Sequence, residues 1–495
     1  MHFPTVHSKW SVLGMVLLAF VAVPIAEMAY QNRPGGFLLA DDATPVFTHV
    51  IIDAEGPNVA GSRGIHVKST GDFNGDGRLD LVVAGSLLGE PLIWYESPTW
   101  TKHTISTLGG WSTDAQAGDI DQDGDQDLVI SSWYRADVGL EWFENTGHGL
   151  GWVHHVIGPP RAHDMELADF DLDGDLDIVT RDQEDIGNKL EVWRQETPDI
   201  WTHRTLNTGV PTGEGLTSGD IDRDGDADIV IGTIWYENSR DIIAGDWPAH
   251  IYTTTWTDPD VTAAVADINR DGRPDIVLVP SERAGDTHKI AWYEAPADPT
   301  VQEWPEHVID AETETVMHSL KIADIDTDGD LDVVTAEMHQ GSDPDEVRIY
   351  TNEGVGGTGA DWTKHVIATT GSHALCLGDF DRDGDIDLFG CNWAETRAVD
   401  LWRNDLNRRL SLDQWTRHVI DDDRPGKAVF ITVADLNGNG RQDIITGGSW
   451  YDHPNDATAP WPRHTIGAPL NNMAAVYDFD QDSDADILGT PYTCL

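Results

Sequence analysis

The sequence predicts an all-β protein assembled from repeated four-stranded antiparallel sheets, and three observations predict it. An acidic nonapeptide recurs nine times, about fifty residues apart. The stretches that enter and leave each copy alternate with period two or run β-branched, as strands do. Helical periodicity is absent throughout.

The nonapeptide comes first because it sets the frame. Its sharpest copies read Asp-x-Asp-x-Asp-Gly-Asp-x-Asp, at 119–127, 169–177, 220–228, 324–332 and 379–387. Asn takes the third position at 72–80, 267–275 and 435–443; the last also has Asn439 at the fifth, and the ninth copy, 478–486, has Ser483 in place of Gly. Oxygens at positions one, three, five and nine, with a main-chain carbonyl at seven, suit one hard cation, and Gly at six permits the sharp turn between them. An all-oxygen, multiply charged set favours calcium over magnesium, which demands stricter geometry, and over zinc, which prefers nitrogen and sulfur.

The strands follow from one unit, 318–367. His318-Ser-Leu-Lys-Ile-Ala alternates and enters the loop at Asp324, and Leu331-Asp-Val-Val-Thr-Ala leaves it. Glu346-Val-Arg-Ile-Tyr-Thr and Trp362-Thr-Lys-His365-Val-Ile make the third and fourth strands. Third strands end in aromatic clusters such as Trp94-Tyr95-Glu96 and Trp292-Tyr293-Glu294, and fourth strands open Trp-x-x-His at Trp100, Trp152, Trp247, Trp304, Trp362, Trp415 and Trp461. Because both motifs recur in unit after unit, they read as packing. The residue before the loop is Gly or Ala in eight copies, from Gly71 to Ala434, which lets neighbouring sheets approach closely.

Each sheet is apolar on both faces and cannot bury them alone; set radially, each covers its neighbours, which is the β-propeller arrangement. Complete units run from His66 to Ile466 and number eight. The expected fold is therefore an eight-bladed propeller, with seven and nine as alternatives and a calcium loop between first and second strands. The N-terminal strand, Phe47 to Ile52, and the two strands from Asn472 to Leu488 are expected to meet in one composite blade.

Net charge is −56, and 38 of the 87 acidic residues lie inside the nonapeptides. Such a surface repels nucleic acid and anionic membranes. His2, His7 and Lys9 precede an uncharged run from Ser11 to Ala26, which reads as a signal peptide or, if uncleaved, a membrane anchor. Residues 1–45 are thus assigned to a signal or anchor plus linker, and 46–495 to a single propeller domain, secreted or at the cell surface. Cys376 and Cys391 flank one loop on strands that could pair and bridge; Cys494 is left over.

The nonapeptide in this strand-loop-strand setting resembles the FG-GAP/VCBS repeats of integrin α-subunits and many secreted bacterial proteins, over roughly residues 46 to 490. The resemblance implies calcium ligands at Asp72, Asn74, Asp76 and Asp80; Asp119, Asp121, Asp123 and Asp127; Asp169, Asp171, Asp173 and Asp177; and Asp220, Asp222, Asp224 and Asp228. It continues with Asp267, Asn269, Asp271 and Asp275; Asp324, Asp326, Asp328 and Asp332; and Asp379, Asp381, Asp383 and Asp387, about seven structural ions in all. The eighth and ninth copies depart from the pattern and are expected to be weak or empty. Family members range from adhesion receptors and lectin-like propellers to lyases and dehydratases, so the family leaves function open.

Residues that break the repeat are the better guide to a site. Six positions before each loop stand His66, Glu214, His163, His318 and His373 among others, and the second-strand exits add Arg181, Glu337, His339 and Trp393. One expectation is a binding or adhesion module for a glycan or extracellular protein, using His66, Glu214, Arg181, His339 and Trp393. The other is a sugar-active lyase or dehydratase using His163, His318, His373 and Glu337. Strand parity counts against a shared channel, because position minus six shares the parity of apolar Leu320 and Ile322, so that its histidines are expected to pack between blades.

Overall fold

A computed structural model describes residues 45–57, 64–135, 137–182, 189–208, 215–342, 344–353, 357–394, 398–406, 419–421, 431–437, 439, 441–446, 448–454, 459–466, 473–477 and 486–490. Every regular element among them is a strand. The chain forms two compact units, Met1–Arg408 and Arg409–Leu495.

In the larger unit, seven sets of four antiparallel strands follow one another. Val67–Gly71, Asp80–Ala84, Leu92–Glu96 and Thr101–Ser106 make the first sheet, and Trp111–Gly118, Asp127–Ser132, Leu140–Asn145 and Trp152–Gly158 the second. The third sheet begins at Asp164–Ala168, the fourth at Thr217–Gly219, the fifth at Val261–Ala266, the sixth at Met317–Ala323 and the seventh at Ala374–Gly378. These first strands lie side by side in chain order, and that of the seventh sheet lies beside that of the first, so the series returns on itself. The first two sheets are joined by one parallel pairing, Lys68 with Asp114.

An apolar cluster fills each seam, and the period-two pattern explains why. In the second strand of the first sheet, Val82 and Ala84 pack with Trp111, Leu128 and Ile130 of the second sheet. Leu81 and Val83, of opposite parity, pack with Phe389, Val399 and Leu401 of the seventh. Each fully buried Val, Leu or Ile contributes roughly 1.5–3 kcal/mol, so burial of both faces is what makes sheet-on-sheet stacking the stable solution. The small residues before the loops act as expected: a Cβ on Gly378 would come within 2.5 Å of Leu79 Cδ1, and one on Gly219 within 2.7 Å of Val265 Cγ1.

A polar latch repeats beside the apolar seams. The residue at the end of the third strand reaches back to the carbonyl at loop position two of the preceding sheet. Asn145 Nδ2 donates to Phe73 O at 2.8 Å, Gln195 Nε2 to Ile120 O at 2.8 Å, Asn238 Nδ2 to Phe170 O at 2.7 Å and Asn404 Nδ2 to Ile325 O at 2.9 Å. Ser97 Oγ donates to Phe380 O at 3.3 Å and so joins the first sheet to the seventh. The fifth sheet has Ala295 at this place and lacks the side-chain latch.

The recurrent aromatic motifs are indeed packing. His103 stacks on Trp94 at 4.4 Å and bonds Glu96 at 2.9 Å; His307 stacks on Trp292 at 4.1 Å and bonds Glu294 at 3.0 Å. Third and fourth strands are thereby pinned together by a Trp–His–Glu contact.

One expectation is corrected. The N-terminal strand, Phe47–Asp53, does not meet the C-terminal strand pair; it pairs antiparallel with Val399–Asn404 as the fourth strand of the seventh sheet. The reason is chemical mimicry: His49 stacks on Trp402 at 5.6 Å, as fourth-strand histidines stack on third-strand indoles elsewhere, and bonds Asp400 at 2.8 Å. The expected fourth strand opening at Trp415 falls outside the described residues. Cys376 and Cys391 lie on paired strands but face Phe389 and Ala374 respectively, and both are free thiols.

The smaller unit holds a four-stranded sheet, Thr432–Ala434, Asp443–Thr446, Ser449–Tyr451 and Arg463–Thr465, and the pair Met473–Tyr477 with Asp486–Thr490. The ninth loop and Cys494 lie outside the described residues. No described helix is long and apolar enough to cross a membrane, and residues 1–44 also lie outside the description.

Candidate metal loops and a histidine-lined mouth

Every acidic loop of the larger unit folds the same way. The carboxylate at position nine closes it: Asp80 Oδ2 accepts from Phe73 N at 3.1 Å and Oδ1 from Ser97 N at 2.8 Å. Asp127 does the same with Ile120 N and Asn145 N, and Asp387 with Phe380 N and Asn404 N. In the loops at 72–80, 119–127, 169–177, 267–275 and 379–387 position one accepts from the amides of positions five and six, as Asp119 does from Asp123 N and Gly124 N. Gly at six has positive φ throughout, for example 97° at Gly124 and 101° at Gly174. The residue at four is left-handed too, and there it is rarely Gly: Gln122, Leu172, Arg223, Arg270, Thr327 and Arg382 have φ between 59° and 64°. Six side-chain-bearing residues held in that region mark a shape the loop is built to keep.

The donor sets fit a divalent cation. Positions one, three and nine place ligand atoms within 4.8 Å of one another in five loops: Asp119, Asp121, Asp127; Asp169, Asp171, Asp177; Asp220, Asp222, Asp228; Asp324, Asp326, Asp332; and Asp379, Asp381, Asp387. The fifth-position carboxylates stand outside these triads; Asp123, Asp173, Asp224, Asp328 and Asp383 instead accept from the amide at position seven. The loops at 72–80 and 267–275 keep the same fold with Asn74 and Asn269 as third-position acceptors, and Asp76 and Asp271 at five bond onward to Arg78 N and Arg273 N. In the eighth copy Asn439 N still bonds Asp435 and Asn437. Asp220 Oδ1 is buried and accepts no hydrogen bond from the protein, as an oxygen reserved for a cation would be. Burial and the neighbouring carboxylates push position nine up, to about 7 for Asp80, Asp127 and Asp275 and about 8 for Asp177, Asp228 and Asp387. A bound cation removes that strain.

At the other end of the first strands, some five residues or about 17 Å from the loops, the repeat breaks. His318 stacks on His373 at 4.0 Å, and its Nδ1 donates to His373 O at 2.9 Å. His163 meets His318 edge-on at 6.3 Å. His163 precedes the first strand of the third sheet and His318 belongs to the sixth; these sheets are not neighbours in the series, so the contact spans its middle. Parity therefore misled the sequence reading. His66, His163 and His373 sit just before their strands, and His318 sits where the register shifts between Met317 and Ser319, which re-aims the side chain.

Indole rings extend the cluster. Trp133 meets His163 at 6.2 Å and carries the Arg161 guanidinium over its face at 4.1 Å. Trp393 lies 6.4 Å from His373, 5.6 Å from His66 and 4.6 Å from His339. Lys68 Nζ bonds His373 Nδ1 at 2.9 Å. Burial pushes both Lys68 and His373 towards their neutral forms. Asp114 is driven up to about 6 and Glu166 to about 8, each mainly by burial.

The predicted residues divide accordingly. His66, His163, His318, His339, His373 and Trp393 come together. Glu337 does not join them: Arg348 and the amide of Glu346 hold its carboxylate. Arg181 is fully buried and donates to Gly215 O at 2.6 Å, a clamp between the third and fourth sheets. Glu214 lies outside the described residues. Trp133 and Lys68 were missed, as was Glu282, whose Oε1 lies 3.3 Å from His318 Nε2; Lys68 stands where the other first strands of the larger unit carry Ala, Leu or Met, a break in pattern that pointed to it.

A family model described as FG-GAP-like repeat matches residues 72–130, 169–231, 267–335, 324–390 and 379–446. Comparison with curated proteins gave no match. Among solved structures the chain is similar to the crystal structure of BBS1N in complex with ARL6DN, soaked with lead, with a TM-score of 0.45 and 13% identity over 73% of this chain and 97% of that one.

Proposed function

This chain belongs to the FG-GAP-like repeat family, and from that premise we propose that it is a calcium-loaded, seven-bladed β-propeller serving as a binding module outside the cell. Its ligand is a glycan or an extracellular protein, taken on the face opposite the calcium loops. The observation that carries the reading is the contrast between the two ends of the first strands. The loop end repeats the same chemistry seven times, whereas the other end gathers His163, His318, His373, Trp133 and Trp393 once. Repetition serves the scaffold, and singular clusters serve recognition. Flat indole faces beside hydrogen-bonding imidazoles suit sugar rings. Loops of this kind fill at about millimolar extracellular calcium, which supports a location outside the cell. A glycan-array screen of the calcium-loaded protein tests this: binding that His318→Ala and Trp393→Ala both abolish supports it, and binding unchanged by either refutes the proposed face.

A second reading, a sugar-active lyase or dehydratase, is favoured by the convergence of His163, His318 and His373, which such chemistry requires. Glu337 has no part in it. Polysaccharide panels assayed for unsaturated products separate the two, since a binding module leaves its ligand unchanged.

A further inference from the structure

The left-handed residue at position four of the acidic loops has a second peculiarity: at four seams its side chain leaves its own loop and reaches the next. Gln122, in the second sheet's loop, donates from Nε2 to Gly174 O at 2.8 Å and to Asp175 Oδ1 at 2.7 Å, positions six and seven of the third loop. Arg223 Nη1 donates to Gly272 O at 3.3 Å, from the fourth loop to position six of the fifth. Arg270 Nη1 pairs with Asp330 Oδ1 at 2.7 Å, from the fifth loop to position seven of the sixth. The Arg382 guanidinium, in the seventh loop, lies over Gly77 at position six of the first, where an added Cβ would meet Nη2 at 2.9 Å. The arm runs the same way each time, from one loop to the next in the series.

These contacts fall where they bear on metal binding. Position four directly follows position three, whose side-chain oxygen is a metal donor, and its positive φ sets the direction of the arm: 60° at Gln122, 63° at Arg223, 59° at Arg270 and 64° at Arg382. Positions six and seven of the receiving loop are the turn glycine and the residue whose carbonyl completes an oxygen cage. A cation that fixes position three of one loop therefore steadies the arm, and the arm holds the turn of the next loop near its liganded shape. Part of the ordering that a second ion must impose is then already in place. Binding free energies are reciprocal, so the second loop favours the first by the same factor. Arg270 does not compete with the ion, because Asp330 stands outside the donor triad Asp324, Asp326 and Asp332.

The series breaks where position four cannot supply an arm: Gly75, Leu172 and Thr327, in the first, third and sixth loops, are too short or too apolar. After Leu172, Arg240 of the fourth sheet itself takes up that loop's position seven, its Nε donating to Asp226 Oδ2 at 2.8 Å. We infer that Gln122, Arg223, Arg270 and Arg382 are positioning residues that couple neighbouring metal loops. Calcium then fills the fourth, fifth and sixth loops as one cooperative set, and the second with the third and the seventh with the first as two more. The inference rests on the calcium loading of the proposed function and is independent of what the mouth binds.

The test follows hydrogen exchange in peptides spanning each loop of the full-length chain as calcium is raised from chelator. Protection of 220–228, 267–275 and 324–332 should rise at one shared midpoint. Arg270→Met should move the midpoint of 324–332 upwards about fivefold or more and leave 119–127 and 169–177 in place, and Arg270→Lys should restore part of the loss. Emptying the sixth loop with Asp326→Ala should weaken the fifth in the unaltered chain but not beside Arg270→Met, a cycle that an arm with a merely structural role would fail. Gln122→Ala gives the same comparison between the second and third loops should Arg270→Met not fold, and Leu172→Ala should move neither of its neighbours. Midpoints indifferent to Arg270→Met and Gln122→Ala, or variants that shift every loop equally, overturn the inference and leave calcium loading standing. A chain that takes up no calcium overturns both.

Discussion

With no cation in the loops, stability should fall as pH rises, and position nine explains why. Asp80, Asp127, Asp177, Asp228, Asp275 and Asp387 are all buried, and in the ion-free loops burial first, then the carboxylates at positions one, three and five, lift them from an ordinary 3.8 to about 7 or 8. A folded-state value above the unfolded one means that the protonated form favours the fold. That stabilisation is whole below about pH 4 and is lost progressively until about pH 8. A rise of three to four units corresponds to roughly 4–5 kcal/mol per loop at the upper bound. Six such loops together exceed the ~5–15 kcal/mol that an ordinary domain has in reserve, so the chelated protein should yield at some loops by about pH 8. The assay is calorimetric melting in chelator and in excess calcium at about pH 6 and about pH 8. In chelator the melting temperature should drop by ~10 °C or more between the two; in calcium, which holds the carboxylates ionised, it should stay level. Equal melting with and without chelator at the higher pH would refute the reasoning.

Other outcomes follow from the seams. Asn404→Ala removes the latch to Ile325 O and should cost ~1–3 kcal/mol by denaturant titration, whereas the same change at exposed Asp199, which gives up only a surface contact to His155, should cost under about 1 kcal/mol. Gly378→Ala sets a methyl within 2.5 Å of Leu79 Cδ1 and should destabilise by about 1–3 kcal/mol. Deleting residues 46–53 bares the edge of Val399–Asn404; loss of a single sharp melting transition and concentration-dependent association are expected, read by calorimetry and light scattering.

The sequence announced its scaffold loudly and its site faintly, for physical reasons. Loops, strands, Trp–His stacking and the small residues before each loop were legible because each is dictated by local chemistry and repeated many times. The left-handed residue at position four was not: Leu172 and Thr327 carry no sign that they must adopt positive φ. Nor was the partner of the N-terminal strand, since every third strand offers a similar edge and only ring closure selects one. At the mouth, period-two reasoning failed where the strand had not yet begun or where a register shift intervened, and His318 shows that a single irregularity can turn a side chain from seam to centre. Glu282 and Trp133 sit on connections between strands, where no periodicity exists to be read.

The pairing of Phe47–Asp53 with Val399–Asn404 has a consequence for how the molecule is made. The strand that leaves the ribosome early must wait for one that leaves some 350 residues later. Until then the seventh sheet has a bare edge, the first and seventh seams are half open, and the nascent chain is at its most adhesive. Once sealed, the larger unit has no terminal sheet from which unravelling can start, because both its ends are sewn into the same sheet. Slow completion and slow escape are thus two sides of one stitch, and the second compensates for the first.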